Sequence, residues 1–335
     1  MKKRILHLLA SNKYSGAENV ACTIINNMSD EYEMCYCSPN GEIEKSLVEK
    51  KITFIPLEKL TISEVSRAVE KFSPDIIHAH DFKSSFIASY FYNKSRIISH
   101  IHKNDPEMKK ISLKSFLYLL TSKRYKKIVG VSESVLDEYI FANKIKSKYI
   151  TLYNYVDSEK IKKMSNEFNV DQKYDLFYLG RMIAEKNPLE FIEIVNELKN
   201  DKIKCVMIGD GPLYDECIQK IKNYNLEENI EMIGFKTNPF PYIKKCTIGV
   251  MPSKYEGFGL TAIEALVLEK VVLNSGAGGL KEIFKELPEY ICYNRIDYVN
   301  KIKEYLDNPI ISNLSLERFC NKKVWKNELF KIYGE

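Results

Sequence analysis

Residues 253–264 read SKYEGFGLTAIE. Glu256 and Glu264 bracket a Gly257-Phe258-Gly259 turn, and apolar runs lie on either side of it, at 247–251 and 262–268. The first run predicts a buried strand, and the second a helix that opens near Leu260. The two glycines let successive backbone N–H groups converge without Cβ obstruction, and the positive end of the helix adds to the same spot. A diphosphate fits that nest. Glu256, before the turn, would accept hydrogen bonds from hydroxyls but repel a phosphate, and Glu264 lies one helical turn in, on the face that returns toward the loop. Two acceptors around an anion nest suit a ligand with phosphates in its middle and hydroxyls at both ends. Thr261-x-x-Glu264 also matches a helix capping box, in which Glu264 would satisfy only a backbone donor.

Upstream, a strand at 175–179 leads into Gly180-Arg181 and then Lys186-Asn187-Pro188. Asn187 suits an N-cap and Pro188 a first helical position, so Lys186 stands where the helix dipole is already positive. Arg181 stands at the carboxyl end of a strand. Two cations gathered there disfavour the fold and favour an anion. With the hydroxyl acceptors, they give the site the layout of a nucleotide sugar. Gly209-Asp210-Gly211-Pro212 follows another strand, but Tyr214 occupies the third glycine position of a dinucleotide fingerprint and Pro212 lacks a donor, which favours a tight turn. Gly276-Ala277-Gly278-Gly279 with Glu282 makes a further strand-to-helix turn.

The first half shows the same alternation. A strand at 4–10, a polar turn at 11–16 and a helix at 17–28 place Gly16 where a side chain would obstruct a ligand's approach to the backbone. Ser15-x-x-Glu18 reads as a capping box. Strands at 32–37, 53–55, 76–79, 97–101 and 128–131 alternate with helices, including one predicted at 132–141. This pattern implies a parallel sheet covered on both faces.

All five histidines precede residue 103, four of them as His78-x-His80 and His100-x-His102. Spacing of two puts each pair on one strand face, but no acid or thiol has ligand spacing nearby, so a metal is not favoured. His102, last in the group and at a strand's carboxyl end, is the one expected to face a crevice. The stretch 111–127 is amphipathic and basic: Leu113, Phe116, Leu117 and Leu120 oppose Lys114, Lys123, Arg124, Lys126 and Lys127. It reads as a helix with its apolar side in the core, or as one that lies on an anionic bilayer. Residues 154–169 lose periodicity and read as an interdomain segment.

The chain has 335 residues, 45% hydrophobic and 28% charged, which favours two folded domains. A net charge of +5 without basic blocks argues against wholesale nucleic-acid binding. Residues 1–10 are too short in apolar length for a signal h-region, and no apolar run is long enough to span a bilayer. Eight cysteines without a Cys-x-x-Cys pair point to reduced thiols in a cytoplasm and to no zinc site.

Taken in order, Gly180-Arg181 with Lys186, Gly209-x-Gly211-Pro212, the paired glutamates around Gly257-Phe258-Gly259-Leu260, and Gly278-Gly279-x-x-Glu282 resemble the retaining glycosyltransferases of family 4. Gly16-Ala17-Glu18 and Ser132-Glu133 resemble that family's N-terminal features. The resemblance covers nearly the whole chain. It implies the GT-B fold: two Rossmann-like doubly wound domains, 1–165 and 166–314, facing a central cleft, and a C-terminal helix in 315–335 that crosses back to the first.

The resemblance further implies a nucleotide-diphosphate sugar as donor, a UDP-sugar ahead of a GDP-sugar, and a glycan or lipid-linked acceptor in bacterial surface polysaccharide or glycoconjugate synthesis. Arg181 and Lys186 would bind the diphosphate, and Glu256 the transferred sugar. Gly257, Phe258, Gly259 and Leu260 would form the phosphate nest, Glu264 would hold the ribose, Gly16 would lie near the β-phosphate, and His102 would line the reaction centre. No cofactor or metal is expected, since the chain has no Asp-x-Asp. The expected location is the cytoplasm or the inner face of the plasma membrane, with 111–127 as the membrane contact. The chain departs from the family's common Gly and Pro at Glu269 and Val271, and from a common glycine at Tyr155. Rival readings are a GT-B nucleotide-sugar epimerase, a nicotinamide oxidoreductase, for which the Gly209 turn supplies a poor fingerprint, and a non-catalytic sugar-nucleotide-binding subunit.

Overall fold

The computed structural model describes residues 2–103, 105–308 and 314–334. It divides into two compact units, Met1–Tyr155 with Lys322–Glu335, and Val156–Asn321. The first unit runs β1 (Arg4–Leu8), α1 (Gly16–Met28), β2 (Glu33–Pro39), α2 (Ile43–Glu49), β3 (Phe54–Leu57), α3 (Ile62–Phe72), β4 (Ile76–Ala79), α4 (Phe82–Ala88), β5 (Arg96–Ile101), α5 (Leu113–Ser122), β6 (Tyr125–Gly130), α6 (Glu133–Asp137), α7 (Ala142–Ile145) and β7 (Tyr149–Thr151). Its strands form one parallel sheet in the order β3-β2-β1-β4-β5-β6-β7.

Buried strands such as β4 (IIHA) have no solvent-facing side because helices cover both faces of the sheet. Alternate residues then serve opposite cores. Ile5, Ile76 and Ile98 join one cluster, and Leu6, Ile77 and Ile97 join the other.

The second unit runs α8 (Ser158–Met164), β8 (Tyr174–Leu179), α9 (Pro188–Glu197), β9 (Cys205–Ile208), α10 (Tyr214–Asn223), β10 (Ile230–Gly234), α11 (Phe240–Lys244), β11 (Cys246–Met251), α12 (Leu260–Val267), β12 (Val271–Asn274), α13 (Gly279–Ile283), α14 (Arg295–Asp307) and α15 (Glu317–Cys320). Its parallel sheet has the order β10-β9-β8-β11-β12. A last helix, α16 (Lys322–Tyr333), belongs to the first unit, where Trp325, Leu329, Ile332 and Tyr333 complete the core cluster built on Ile5 and Ile76.

Four sequence expectations need correction. The interdomain segment expected at 154–169 holds a helix of the second unit, α8. Asp157 caps α8 by accepting from the Lys160 N–H (3.0 Å), Ile161 is buried, and the helix packs on α11 and α12. The division between units therefore falls at Tyr155/Val156. The return to the first unit likewise starts at Lys322, because α15 stays with the second unit through the Val156 N–H to Phe319 carbonyl bond (2.9 Å). The helix predicted over 132–141 is shorter, ending at Asp137 as α6, and a separate short helix, α7, follows beyond the predicted span.

The fourth correction concerns the apolar side of α5, which faces outward and not into the core. Leu113 is 76% exposed, Phe116 49% and Leu120 46%, whereas Ser115, Tyr118, Thr121 and Ser122 are buried. The inner polar groups are satisfied locally: Thr121 donates to the Leu117 carbonyl, Ser122 to the Leu119 carbonyl, and the Tyr118 hydroxyl lies 2.8 Å from Ser99 Oγ. With its polar inner face fully hydrogen-bonded, the helix buries it at little cost.

Candidate active site

In an open parallel sheet, ligands bind beyond the carboxyl ends of the strands, where neighbouring connections run to opposite faces. In the second unit that switch point lies between β8 and β11. The loops that follow them carry Arg181 with Lys186 and Glu256 with Gly257, Phe258 and Gly259. The two loops are bound to each other: the Lys254 and Tyr255 N–H groups donate to the Glu185 carbonyl at 2.8 and 3.2 Å. The Tyr178 hydroxyl pins the first loop from below, 3.1 Å from the Arg181 carbonyl and 3.4 Å from that of Lys186. Lys186 Nζ and Glu256 form an ion pair of low exposure. The Arg181 side chain is exposed, with no carboxylate partner among the described residues.

Both neighbouring glycine turns serve this frame. Gly278 has φ +54°, and a Cβ there would lie 1.9 Å from the Glu256 carbonyl oxygen. The adjacent Gly279 N–H donates to that oxygen at 3.0 Å. Gly209 similarly abuts Gly180, where a Cβ would meet the carbonyl oxygen at 1.9 Å, and the Asp210 carbonyl accepts from the Met182 N–H (2.8 Å). The Gly209-x-Gly211 turn therefore buttresses the Gly180-Arg181 loop, the tight-turn role that its sequence favours.

Helix α12 begins after Gly259, so Thr261 lies inside the first turn and the capping box with Glu264 is not formed. The N–H groups that open this helix have no intrahelical partner. Glu264 is half-buried with no hydrogen bond or ion pair to its carboxylate among the described residues, and burial pushes its pKa up to about 7. Asn187 does precede α9, but in the left-handed region (φ 53°) and without a side-chain cap bond.

In the first unit the switch point lies between β1 and β4. Gly16 opens α1, and a Cβ added there meets nothing within 4 Å. Ser15 donates to Glu18 instead of the two forming a full capping box. Asp81, which sequence reading passed over, joins the loops after these two strands. One carboxylate oxygen accepts from the Ala10 N–H (3.0 Å), the other from the Ser84 N–H (2.8 Å) at the start of α4. The HAHD run at 78–81 was the available signal.

His102 lies just past β5, half-buried, with Nε2 3.0 Å from His80 Nδ1. His80 Nε2 lies 2.8 Å from His7 Nδ1, and His78 bridges the Tyr333 hydroxyl (2.9 Å) and His100 Nδ1 (3.2 Å). Burial lowers the pKa of all five rings, to about 3 for His7 and His102, so they are neutral at ordinary pH. Ring nitrogens of His7, His78 and His80, and of His80, His100 and His102, lie within 4.8 Å of one another. Neither trio includes an anionic ligand to offset a buried dication, and ring-to-ring hydrogen bonds already occupy most of the nitrogens. Thus Arg181, Lys186, 256–260 and Glu264 share the switch-point side of the second unit, and Gly16 and His102 stand at strand carboxyl ends of the first.

Two doubly wound parallel sheets in one chain are the architecture of the GT-B class. HepE of Anabaena, solved in complex with UDP, matches 100% of both chains with a TM-score of 0.85 at 17% identity. The family model described as Glycosyltransferase Family 4 matches residues 14–160, and that described as Glycosyl transferases group 1 matches residues 159–322. The chain belongs to the GT-B glycosyltransferases of the family 4 type. Among curated relatives, it is 25% identical to the N-acetylgalactosamine-N,N'-diacetylbacillosaminyl-diphospho-undecaprenol 4-alpha-N-acetylgalactosaminyltransferase of Campylobacter jejuni, over 94% of this chain and 92% of that one. It is 24% identical to the capsular polysaccharide biosynthesis glycosyltransferase CapH of Staphylococcus aureus, over 81% of each.

Proposed function

We propose that this glycosyltransferase moves a sugar from a UDP-sugar, with retention and without a metal, to a hydroxyl of a glycan or lipid-linked acceptor in bacterial surface polysaccharide or glycoconjugate synthesis. The observation that carries the reading is the second unit's switch point: an Arg181 side chain with no carboxylate partner among the described residues, the Lys186–Glu256 pair and the amino end of α12 around one glycine turn. As the anomeric C1–O bond breaks, negative charge grows on the diphosphate. Arg181, Lys186 and the N–H groups of 258–260 stabilise it, which is transition-state electrostatics. The acceptor oxygen forms its bond to C1 on the face the diphosphate leaves, and its proton passes to the departing phosphate oxygen. Glu256 accepts from hydroxyls of the transferred sugar, Glu264 from the ribose, Gly16 lies by the β-phosphate, and His102 meets a sugar hydroxyl.

The test is a panel of UDP- and GDP-sugars, with EDTA present throughout, scored for thermal stabilisation, nucleotide release and anomeric configuration of the product. Donor conversion without an acceptor would assign an epimerase, and affinity without turnover a binding subunit. Dependence on added metal or inversion at C1 would overturn the mechanism.

Glu264 gives this reading a pH dependence. Ribose hydroxyls donate to a carboxylate, so binding favours the ionised form of a group whose pKa stands near 7. UDP binding should therefore tighten as pH rises from about 6 to 8 and release up to one proton at the lower pH. Calorimetry in two buffers of different ionisation enthalpy reads this, and Glu264→Gln should abolish the proton release. In the free protein the sign is the reverse: the raised pKa favours the fold in acid, and that contribution is lost as pH rises through about 7.

We further propose that α5 seats the enzyme on an anionic membrane. The outward Ile111, Leu113, Phe116 and Leu120 adjoin exposed Lys123, Arg124 and Lys126, and Arg124 stacks over the rings of Tyr90 and Tyr92 at 5.8 and 5.1 Å. Apolar and aromatic groups rimmed by cations match the headgroup boundary of anionic lipid. Among the described residues no helix is long and apolar enough to cross a membrane. Leu113→Glu with Phe116→Glu should cut binding to vesicles containing phosphatidylglycerol at least about tenfold in co-sedimentation. Activity on a water-soluble acceptor should be unchanged.

A further inference from the structure

The turn Gly257-Phe258-Gly259 has one side chain with which to hold itself in place. A glycine on either side loosens the backbone, and Gly259 stands at φ 107°, where other residues are strained. The Phe258 ring must fasten what the glycines leave free. It is 4% exposed and meets the Phe319 ring edge-on, with centroids 5.7 Å apart and planes at 72°.

Phe319 sits in the short helix α15, which is tied down on both sides of that ring. The Phe319 carbonyl accepts from the Val156 N–H (2.9 Å). The Arg318 guanidinium donates to the Glu282 and Ile283 carbonyls at 3.2 and 3.3 Å, where a cation also meets the negative end of α13. Helix α13 in turn packs on the turn itself. A Cβ on Gly279 would lie 2.5 Å from the Phe258 carbonyl oxygen, and one on Gly259 would lie 2.8 Å from Leu280 Cδ2 and 3.2 Å from Ile283 Cδ1. The backbone of 258–259 is thus gripped by α13 and α15, all within the second unit. A nest whose N–H groups already converge binds an anion without first paying to order itself.

We propose that Phe319, seated by Arg318, is a positioning residue that holds the Phe258, Gly259 and Leu260 N–H groups convergent before the donor's diphosphate arrives. This rests on the reading of that turn as the diphosphate nest. Phe319 is 1% exposed and acts only through Phe258.

The test is calorimetric titration of the full chain with UDP, which engages the nest, and with uridine, which has no phosphate. Phe319→Leu, which keeps an apolar side chain in the core, should weaken UDP at least about fivefold and leave uridine within about twofold of wild type. In a Phe258→Leu background the same change should weaken UDP no further, because the contact it removes is already gone. Arg318→Gln should weaken UDP about twofold and leave uridine unchanged. If Phe319 only fills the core, its loss lowers the melting temperature in both backgrounds and leaves the ratio of UDP to uridine affinity as in wild type. That ratio overturns the proposal, as does equal weakening of both ligands. Should Phe319→Leu not fold, Arg318→Gln decides, and an unchanged ratio there overturns it. If wild type binds GDP instead, GDP and guanosine take the places of UDP and uridine. Wild type that binds neither nucleotide sinks the donor reading and the positioning with it, whereas wild type that binds while the variants keep its affinity sinks the positioning alone.

Discussion

Lys186→Ala is expected to lower sugar transfer at least about tenfold in kcat/KM, roughly 1.4 kcal/mol or more of transition-state stabilisation. Two effects add. The change removes a cation from the place where diphosphate charge grows, and it strips Glu256, whose side chain is 10% exposed, of its ion-pair partner. An uncompensated, nearly buried carboxylate beside a polyanion repels the donor. Glu256→Ala should cost as much, through lost sugar contacts and a Lys186 ammonium left without its pair. Because the two groups form one unit, the double variant should lose less than the product of the single losses. Steady-state rates on purified variants with matched thermal melts check this. Wild-type rates in both single variants would refute the roles given to these residues.

Gly278→Ala should have the second large effect, through a different route. The left-handed φ of +54° strains any side chain, and the new Cβ would stand 1.9 Å from the backbone oxygen of Glu256, which cannot swing aside as a side-chain tip could. A loss of about 2–3 kcal/mol is expected, with Tm falling roughly 4–10 °C. The residue displaced carries the hydroxyl acceptor, so UDP binding should weaken as well. Gly16→Ala is the control: a Cβ there meets nothing within 4 Å, so Tm should hold while transfer falls. A melt for Gly278→Ala that matches wild type would mean that the two loops are not held together as described.

The alternation of strands and helices was readable because parallel strands are short apolar runs and the connecting helices are amphipathic. The loops bearing Arg181, Lys186 and Glu256 stood out because charge and glycine at strand ends serve no packing purpose. What stayed hidden depends on which strands become neighbours. The spacing His78-x-His80 shows that two rings share a strand face, but only the order β1-β4-β5 brings His7 and His100 beside them. The support that Gly278 gives Glu256 is likewise a contact between distant loops. Helix α5 defeated the pattern itself, because hydrogen-bonded serines, a threonine and a tyrosine fill the core where leucines were expected. Glu269, where the resemblance implies a common glycine, adopts the left-handed conformation that glycine favours, φ 58°, just after α12.

The first unit is discontinuous in sequence, and this bears on how the protein is made. Trp325, Leu329 and Tyr333 fill the face of the sheet beside α1, and the whole second unit is synthesised before they leave the ribosome. Until then the nascent sheet carries a bare apolar flank around Ile5, Ile76 and Ile98. The second unit, contiguous from Val156 to Asn321, has every residue it needs earlier. During translation, folding therefore finishes in the reverse of the order of synthesis, and the interval in which chaperones matter most is the one before residues 322–334 dock.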